Sequence, residues 1–167
     1  MKKDLAIIAG LFLVIIALLV FGQGYTSLGF MSNQGTASAA VGGGPSRIKI
    51  TDKTLTIDAE VAATSNLRKK GLSKRDELPF DKGMIFVFDN TGQYGIWMKD
   101  MRFAIDIIWI DADKKIVDIV ENVPPEPGKA DNKLTVYKPR GDAKYVLEIN
   151  AGLASANGLQ IGDPLNF

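Results

Sequence analysis

The chain predicts a mostly β domain, barrel-like or sandwich-like with one or two short helices, carried on a single N-terminal transmembrane helix. Three observations predict it. Leu55, Ile57, Ala59 and Val61 alternate with Thr54, Thr56, Asp58 and Glu60, the period-two signature of a strand with one face in a core and the other in water. The stretch GMIFVFDNTGQYGIWMKDMRFAIDIIWID, from Gly83 to Asp111, holds three strand-like runs, both tryptophans and an acid, Asp106, inside an otherwise apolar run. Leu5 to Phe21 is apolar without a break.

The apolar run sets the organisation of the chain. As a helix it covers roughly 25 Å, and the adjoining Gly22 to Tyr25 extend it toward the bilayer core of about 30 Å. Residues 1–21 therefore read as an uncleaved membrane anchor. A cleaved signal peptide is the competing reading, but the small-residue run Ala37-Ser38-Ala39 lies far beyond the apolar stretch. Lys2 and Lys3 precede the span, and no charged residue follows it until Arg47. This asymmetry keeps the N-terminus in the cytoplasm and places the rest of the chain outside the cell membrane as a single-pass protein. Residues 22–46, rich in Gly, Ser, Ala, Gln and Asn, read as a flexible linker with a root-mean-square reach of about 25 to 30 Å.

Composition narrows the chemistry of the remaining domain, 47–167. The whole chain has 20 Lys and Arg against 19 Asp and Glu and no basic stripe, so it lacks the electrostatic footprint of a nucleic-acid binder. The 167 residues include no cysteine and no histidine. That excludes thiol nucleophiles, disulfides, thiolate or imidazole metal sites and imidazole-based triads, and it closes the lipoprotein route. No cofactor is expected. Asp111-Ala112-Asp113 begins like a calcium loop, but Lys115 stands at a ligand position and Ile116 where glycine is required, so it reads as a hairpin turn and no metal site is expected.

Within the domain, Thr64 or Ser65 caps a short basic helix in TSNLRKKGL that Gly71 ends. RDELPFDKG is a turn-rich connection, and MIFVF, apolar on both faces, is a buried strand. Asp89 to Gly95 is turn chemistry; Ile96 to Met101 and Phe103 to Ile110 read as further strands, the latter forming a hairpin with IVDIVENV. Pro124 to Lys133 is a long surface loop. The chain closes with a strand around YVLEI, a helical turn at AGLASANG and the segment GLQIGDPLNF, in which Gly162-Asp163 is turn chemistry.

Four blocks, GLSKRDELPFDKGMIFVF, IWMKDMRFAIDIIWID, YVLEINAG and IGD, in this order, resemble the prokaryotic family called domain of unknown function 192. The resemblance covers essentially the whole of 47–167. It implies a small, mostly β domain that often follows a signal sequence or membrane anchor, with no established activity. Arg75, Trp97, Lys99, Asp106 and Glu148 fall on characteristic positions of that pattern, together with Gly71, Gly83 and Gly152. Two departures stand out: Ser73 where the family has Met, and Asp100-Met101 where it has Asn-Thr. The second adds a negative charge beside the Trp-Met-Lys block.

Asp106 shares a strand face with Ala104, Ile108 and Ile110, so that face is only partly buried or a partner keeps the carboxylate charged. Glu148, within YVLEI, is in a similar setting, and Arg75 and Lys99 are the expected partners. One reading is an architectural ion-pair network with Trp97, Met98 and Met101 as core. The other gathers Arg75, Trp97, Lys99, Asp106 and Glu148 around one cleft, an aromatic wall with convergent polar groups that suits a small polar ligand. From these, the leading expectation is a noncatalytic extracytoplasmic module that binds a small polar or cell-envelope ligand or a partner protein. The alternatives are a hydrolase of an envelope glycan using Asp106 and Glu148 as its carboxylate pair, and a structural envelope protein.

Overall fold

The structure, a computed structural model, describes residues 45–167. The predicted span over 1–21 and all of the predicted linker but Pro45 and Ser46 lie outside the described residues. Among the described residues no helix is long and apolar enough to cross a membrane.

The elements run β1 (Arg47–Thr51), β2 (Thr56–Ala62), α1 (Ser65–Lys70), β3 (Lys82–Gly92), β4 (Ile96–Trp97), β5 (Ile105–Ile110), β6 (Ile116–Val123), a 3-10 turn (Asp131–Lys133), β7 (Val136–Tyr137), β8 (Ala143–Asn150) and α2 (Leu153–Ala156). Six strands form one sheet in the order β1-β2-β3-β8-β5-β6, and β4 pairs separately with β7. Only β2 and β3 run parallel, which requires the long crossover that α1 and the loop after it supply. Helix α1 is bounded as its sequence requires. The Thr64 hydroxyl accepts the Leu67 N–H at 3.3 Å, and Gly71 ends the helix at φ 50°, a conformation closed to most side chains.

The C-terminal segment closes the sheet. Asn166 exchanges backbone hydrogen bonds of 3.0 and 2.9 Å with Thr51 on β1. A few residues earlier, the Gly162 N–H donates to the Ile116 carbonyl at 2.8 Å and the Ile116 N–H to the Asp163 carbonyl at 3.0 Å, on β6. One segment thus links the two outer strands at one end of the sheet, which gives the sheet a barrel-like form.

Both faces of the sheet are covered. Inside lie Ile50, Ile57, Ile85, Ile108, Leu147 and Ile149, joined by Leu159 and Leu165 from the chain end. Outside, a second apolar layer holds Met84, Phe86, Ile107, Trp109 and Val146, beneath Leu72, Met98 and Met101 of the overlying loops. Trp109 is fully buried, and its indole N–H donates to the Tyr94 carbonyl at 2.8 Å. The polar end of the largest core side chain is thereby satisfied.

Two local expectations need correction. β3 continues through Asp89, Asn90 and Thr91 to Gly92, although these residues read as a turn. Its register with β8 shifts between Val87 and Gly92, and this irregularity lets a polar run stay extended at the exposed end of the strand. The strand expected over Ile96 to Met101 stops at Trp97, because Asp100 adopts φ 55° and Met101 N–H turns back to the Met98 carbonyl at 3.2 Å. The turn expected at Gly162-Asp163 is present, with Asp163 N–H donating to the Gln160 carbonyl at 3.1 Å, and the residues after it add the bridge to β1.

Gly83 sits at the tightest approach in the sheet, where a Cβ would stand 2.8 Å from the Glu148 carbonyl oxygen and 2.9 Å from the Ile57 side chain. Gly83→Ala is expected to destabilise the domain by about 1–3 kcal/mol through overpacking. Gly141→Ala, whose Cβ would meet only Val117 at 3.8 Å, should stay within about 0.5 kcal/mol of wild type. Urea unfolding of both variants checks the pair.

Candidate functional site

β5 and β8 pair with Asp106 opposite Ile149 and Ile107 opposite Glu148. Side chains alternate along a strand, so these two acids project to opposite faces of the sheet. Asp106 points into the barrel among Ile108, Ile149 and Ala154, and Glu148 points into the outer layer toward Phe86 and Ile105. The expected carboxylate pair is therefore absent. Two acids separated by a sheet cannot flank one glycosidic bond, so the hydrolase built on Asp106 and Glu148 is overturned.

Asp106 is fully buried and has no cationic partner among the described residues. Its carboxylate accepts backbone N–H groups from Asn122 at 2.8 Å, Gly152 at 3.0 Å and Ala154 at 2.8 Å. Asn122 lies near the end of β6 with φ 54°, and Gly152 and Ala154 belong to the start of α2. Three donors that the sheet and a helix start leave unpaired converge on one side chain, which explains an acidic residue in an apolar interior without invoking Arg75 or Lys99. Asp106 is architectural and leaves the candidate site.

Glu148 has the opposite environment. It is 95% buried at the floor of a cavity of about 140 Å³, and its carboxyl has no hydrogen-bond partner among the described residues. Burial pushes its pKa up from the ordinary 4.5 to about 8, against a smaller opposing pull from Arg75. Arg75 does not bond it. The guanidinium is committed to Glu60, whose two carboxylate oxygens it meets at 2.8 and 2.7 Å, and this pair holds the Glu60 carboxyl below its usual range.

The cavity lies between α1, the outer face of β3 and the β4 turn. Phe86, Phe88, Leu72 and Met101 form its walls, with Trp97 and Lys99 at the rim. Trp97 is 41% exposed, the outward-facing residue of a two-residue strand, whereas Met98 is buried as core. Lys99 forms an ion pair with Asp131, which ties the long Pro124–Val136 connection to the rim. Glu126 holds that connection closed by accepting the Thr135 N–H and hydroxyl, each at 2.9 Å, and by pairing with Lys129. Those partners depress its pKa to about 2.

Of the five residues expected around one cleft, Trp97, Lys99 and Glu148 line the same cavity, Arg75 lies behind it on Glu60, and Asp106 is on the other side of the sheet. Sequence reading missed Arg68, Lys69, Lys70 and Phe88. The basic run was visible as the helix Ser65–Lys70, but only the parallel crossover that lays α1 over β3 brings it to the cavity. Both departures from the family pattern touch this region. Ser73 lines the cavity and donates to the Lys70 carbonyl, and Met101 forms a wall. Asp100 lines no part of it; its side chain is half exposed, 4.0 Å from Lys74. Aspartate and asparagine tolerate the left-handed backbone about equally, so the exchange keeps this turn.

The fold and its cavity define a small closed β domain with one buried, unpaired acid beneath an aromatic and basic rim. The chain belongs to the domain of unknown function 192 family, described as an uncharacterized ACR, whose model matches residues 47–167. A UPF0127 protein of Thermococcus sibiricus is 25% identical over 119 residues, 71% of each chain. One from Thermococcus gammatolerans is 28% identical over 110 residues, 65% of each chain. The crystal structure of a protein of unknown function from Novosphingobium aromaticivorans superposes with a TM-score of 0.65 at 29% identity, covering 80% of this chain and 99% of that one. A domain like this one thus makes up nearly the whole of a crystallised chain.

The two acids are expected to respond oppositely to mutation. Asp106→Ala strands three buried N–H donors and should cost about 3–5 kcal/mol in urea unfolding. Glu148→Gln should be neutral near pH 5 and stabilising near pH 9. The folded state holds the Glu148 proton more tightly than the unfolded chain, so its contribution is complete below pH 4.5 and is lost as pH rises through about 8. Between those limits wild-type stability falls by about 1.4 kcal/mol per pH unit. A melting profile from pH 5 to 9 should decline for wild type and flatten for the variant.

Proposed function

We propose that the domain is a noncatalytic binding module that takes a small polar ligand in the Glu148 cavity, with Trp97 as the aromatic wall of its mouth. The reading is supported most by one observation: a carboxyl that is 95% buried, unbonded by the protein and faces an open cavity. With no protein partner to compete, this carboxyl is free to bond whatever polar group enters the cavity. An architectural acid looks different, as Asp106 and its three donors illustrate.

The chemistry available favours binding over turnover. The cavity lining holds a single acid, and that acid has no second carboxylate, no hydroxyl nucleophile paired with a base and no metal-ligand cluster beside it among the described residues. An apolar wall with one convergent polar group and an exposed indole matches a recognition pocket. With residues 1–21 as an inward-anchored span and 22–46 as a flexible linker, the module would sample the cell-envelope side of the membrane for ligand.

The test uses the two tryptophans. Trp109 is sealed in the outer layer, so a ligand that changes indole emission does so at Trp97. A panel of small sugars, amino-acid derivatives and organic acids should contain a compound that shifts this emission and raises the melting midpoint. Trp97→Ala removes the emitting ring, so its affinity is read from the melting midpoint; the variant should bind that compound at least fivefold more weakly, about 1 kcal/mol. A panel without any response, or a response unchanged in Trp97→Ala, contradicts the reading and leaves a structural envelope role.

A further inference from the structure

The side chains around the cavity identify what kind of small ligand fits, an inference that rests on the binding reading above. Arg68, Lys69 and Lys70 of α1 and Lys99 of the β4 turn all line the cavity, and Glu148 is the one acid among its lining residues. Arg68 is fastened by its own bonds, to the Ala63 carbonyl at 2.6 Å and the Val87 carbonyl at 2.8 Å, with its guanidinium 5.0 Å from the centre of the Phe88 ring. Lys99 leans on Asp131, and Arg75 on Glu60. Lys69 and Lys70 are exposed on the helix beside the mouth.

A cationic ligand would have to enter past four basic side chains to reach one buried acid. An uncharged ligand would leave the basic rim unused. An anion uses both parts: the rim raises its local concentration and neutralises it, and a protonated carboxyl at the floor donates a hydrogen bond to it in a site of low polarity. We propose that the cavity takes the carboxylate end of a small anionic ligand, with the Glu148 carboxyl donating to it and Lys69 and Lys70 supplying the counter-charge. The rest of the ligand lies outward on the Trp97 ring. Two sources share this chemistry, an acidic sugar and the C-terminus of a peptide.

A pH response follows. A bound carboxylate requires the proton on Glu148, so complex formation and ionisation of Glu148 exclude each other. Above about pH 8 each further unit weakens the complex about tenfold. A ligand cation would show the reverse trend.

The experiment follows Trp97 emission in the full chain in detergent, at pH 6.5 and 9.5, with glucuronate, N-acetylalanine, methyl glucoside and choline as probes. At least one of the two carboxylates is expected to bind at pH 6.5 and to weaken about 30-fold at pH 9.5; which of them binds more tightly distinguishes the sugar from the peptide source. Glu148→Gln keeps a donor at the floor without a titrating proton, so its affinity for the same probe should differ less than about threefold between the two pH values. Lys69→Ala/Lys70→Ala should weaken the carboxylate at both. If methyl glucoside binds independently of pH, or choline binds more tightly at pH 9.5, the anion assignment is overturned while the cavity remains a binding site. If neither carboxylate binds wild type at about 10 mM, the assignment is likewise overturned, and the wider ligand panel then decides whether the cavity binds anything.

Discussion

β5 and β8 are neighbours in the middle of the sheet, and both of their faces are buried. Because Asp106 pairs with Ile149 and Ile107 with Glu148, a one-residue offset sends two similar side chains into unlike surroundings. Inside the barrel, Asp106 meets backbone donors that would otherwise be orphaned. Outside it, Glu148 meets phenyl rings, a distant guanidinium and a cavity. A one-residue slip of β8 would bury the glutamate inside the sheet without partners, and one of β5 would strip β6 and α2 of their anchor. The separation of the backbone-bonded acid from the acid that lines the cavity rests on this pairing.

The Asp106 anchor also accounts for how the closure is held. Asp106 grips the start of α2, and the chain leaves α2 through Leu159 into the segment that joins β6 to β1. Leu159 and Leu165 from that stretch complete the interior apolar cluster. A four-residue helix has little stability of its own, so its position depends on the carboxylate and on the side chains it delivers. The outer layer, by contrast, is assembled from connections: the α1 crossover, the β4 turn and the loop pinned by Glu126. Loops that carry a site on a rigid sheet are a common division of labour.

Much of this was legible in the sequence. The alternation of Leu55 to Val61, the Thr64 cap, the Gly71 stop and the hairpin at Asp111 to Lys115 follow from local chemistry and appear as read. Trp97, Lys99 and Glu148 were recognised as candidates and do share a cavity. What local chemistry could not reveal was which acid faces which way, because that depends on the pairing of β5 with β8, strands separated by the whole of β6 and the long loop. The closure by Gly162 to Asn166 escaped notice for the same reason: its hydrogen bonds reach Thr51 and Ile116, and its own composition is that of a turn. The basic run of α1 was legible as a short helix, but its place beside the cavity depends on the crossover that lays it over β3.

Glu148 is a buried acid that lines the cavity, and its burial predicts that it stays protonated at neutral pH. A carbon-13 carboxyl NMR titration of the ligand-free chain, with Glu148 assigned through the Glu148→Gln spectrum, measures this directly. The expected midpoint lies near 8, well apart from the surface carboxylates. A midpoint near the ordinary 4.5 would mean that the side chain is hydrated or paired, and the buried, unpaired floor on which both the binding reading and the anion assignment stand would be gone.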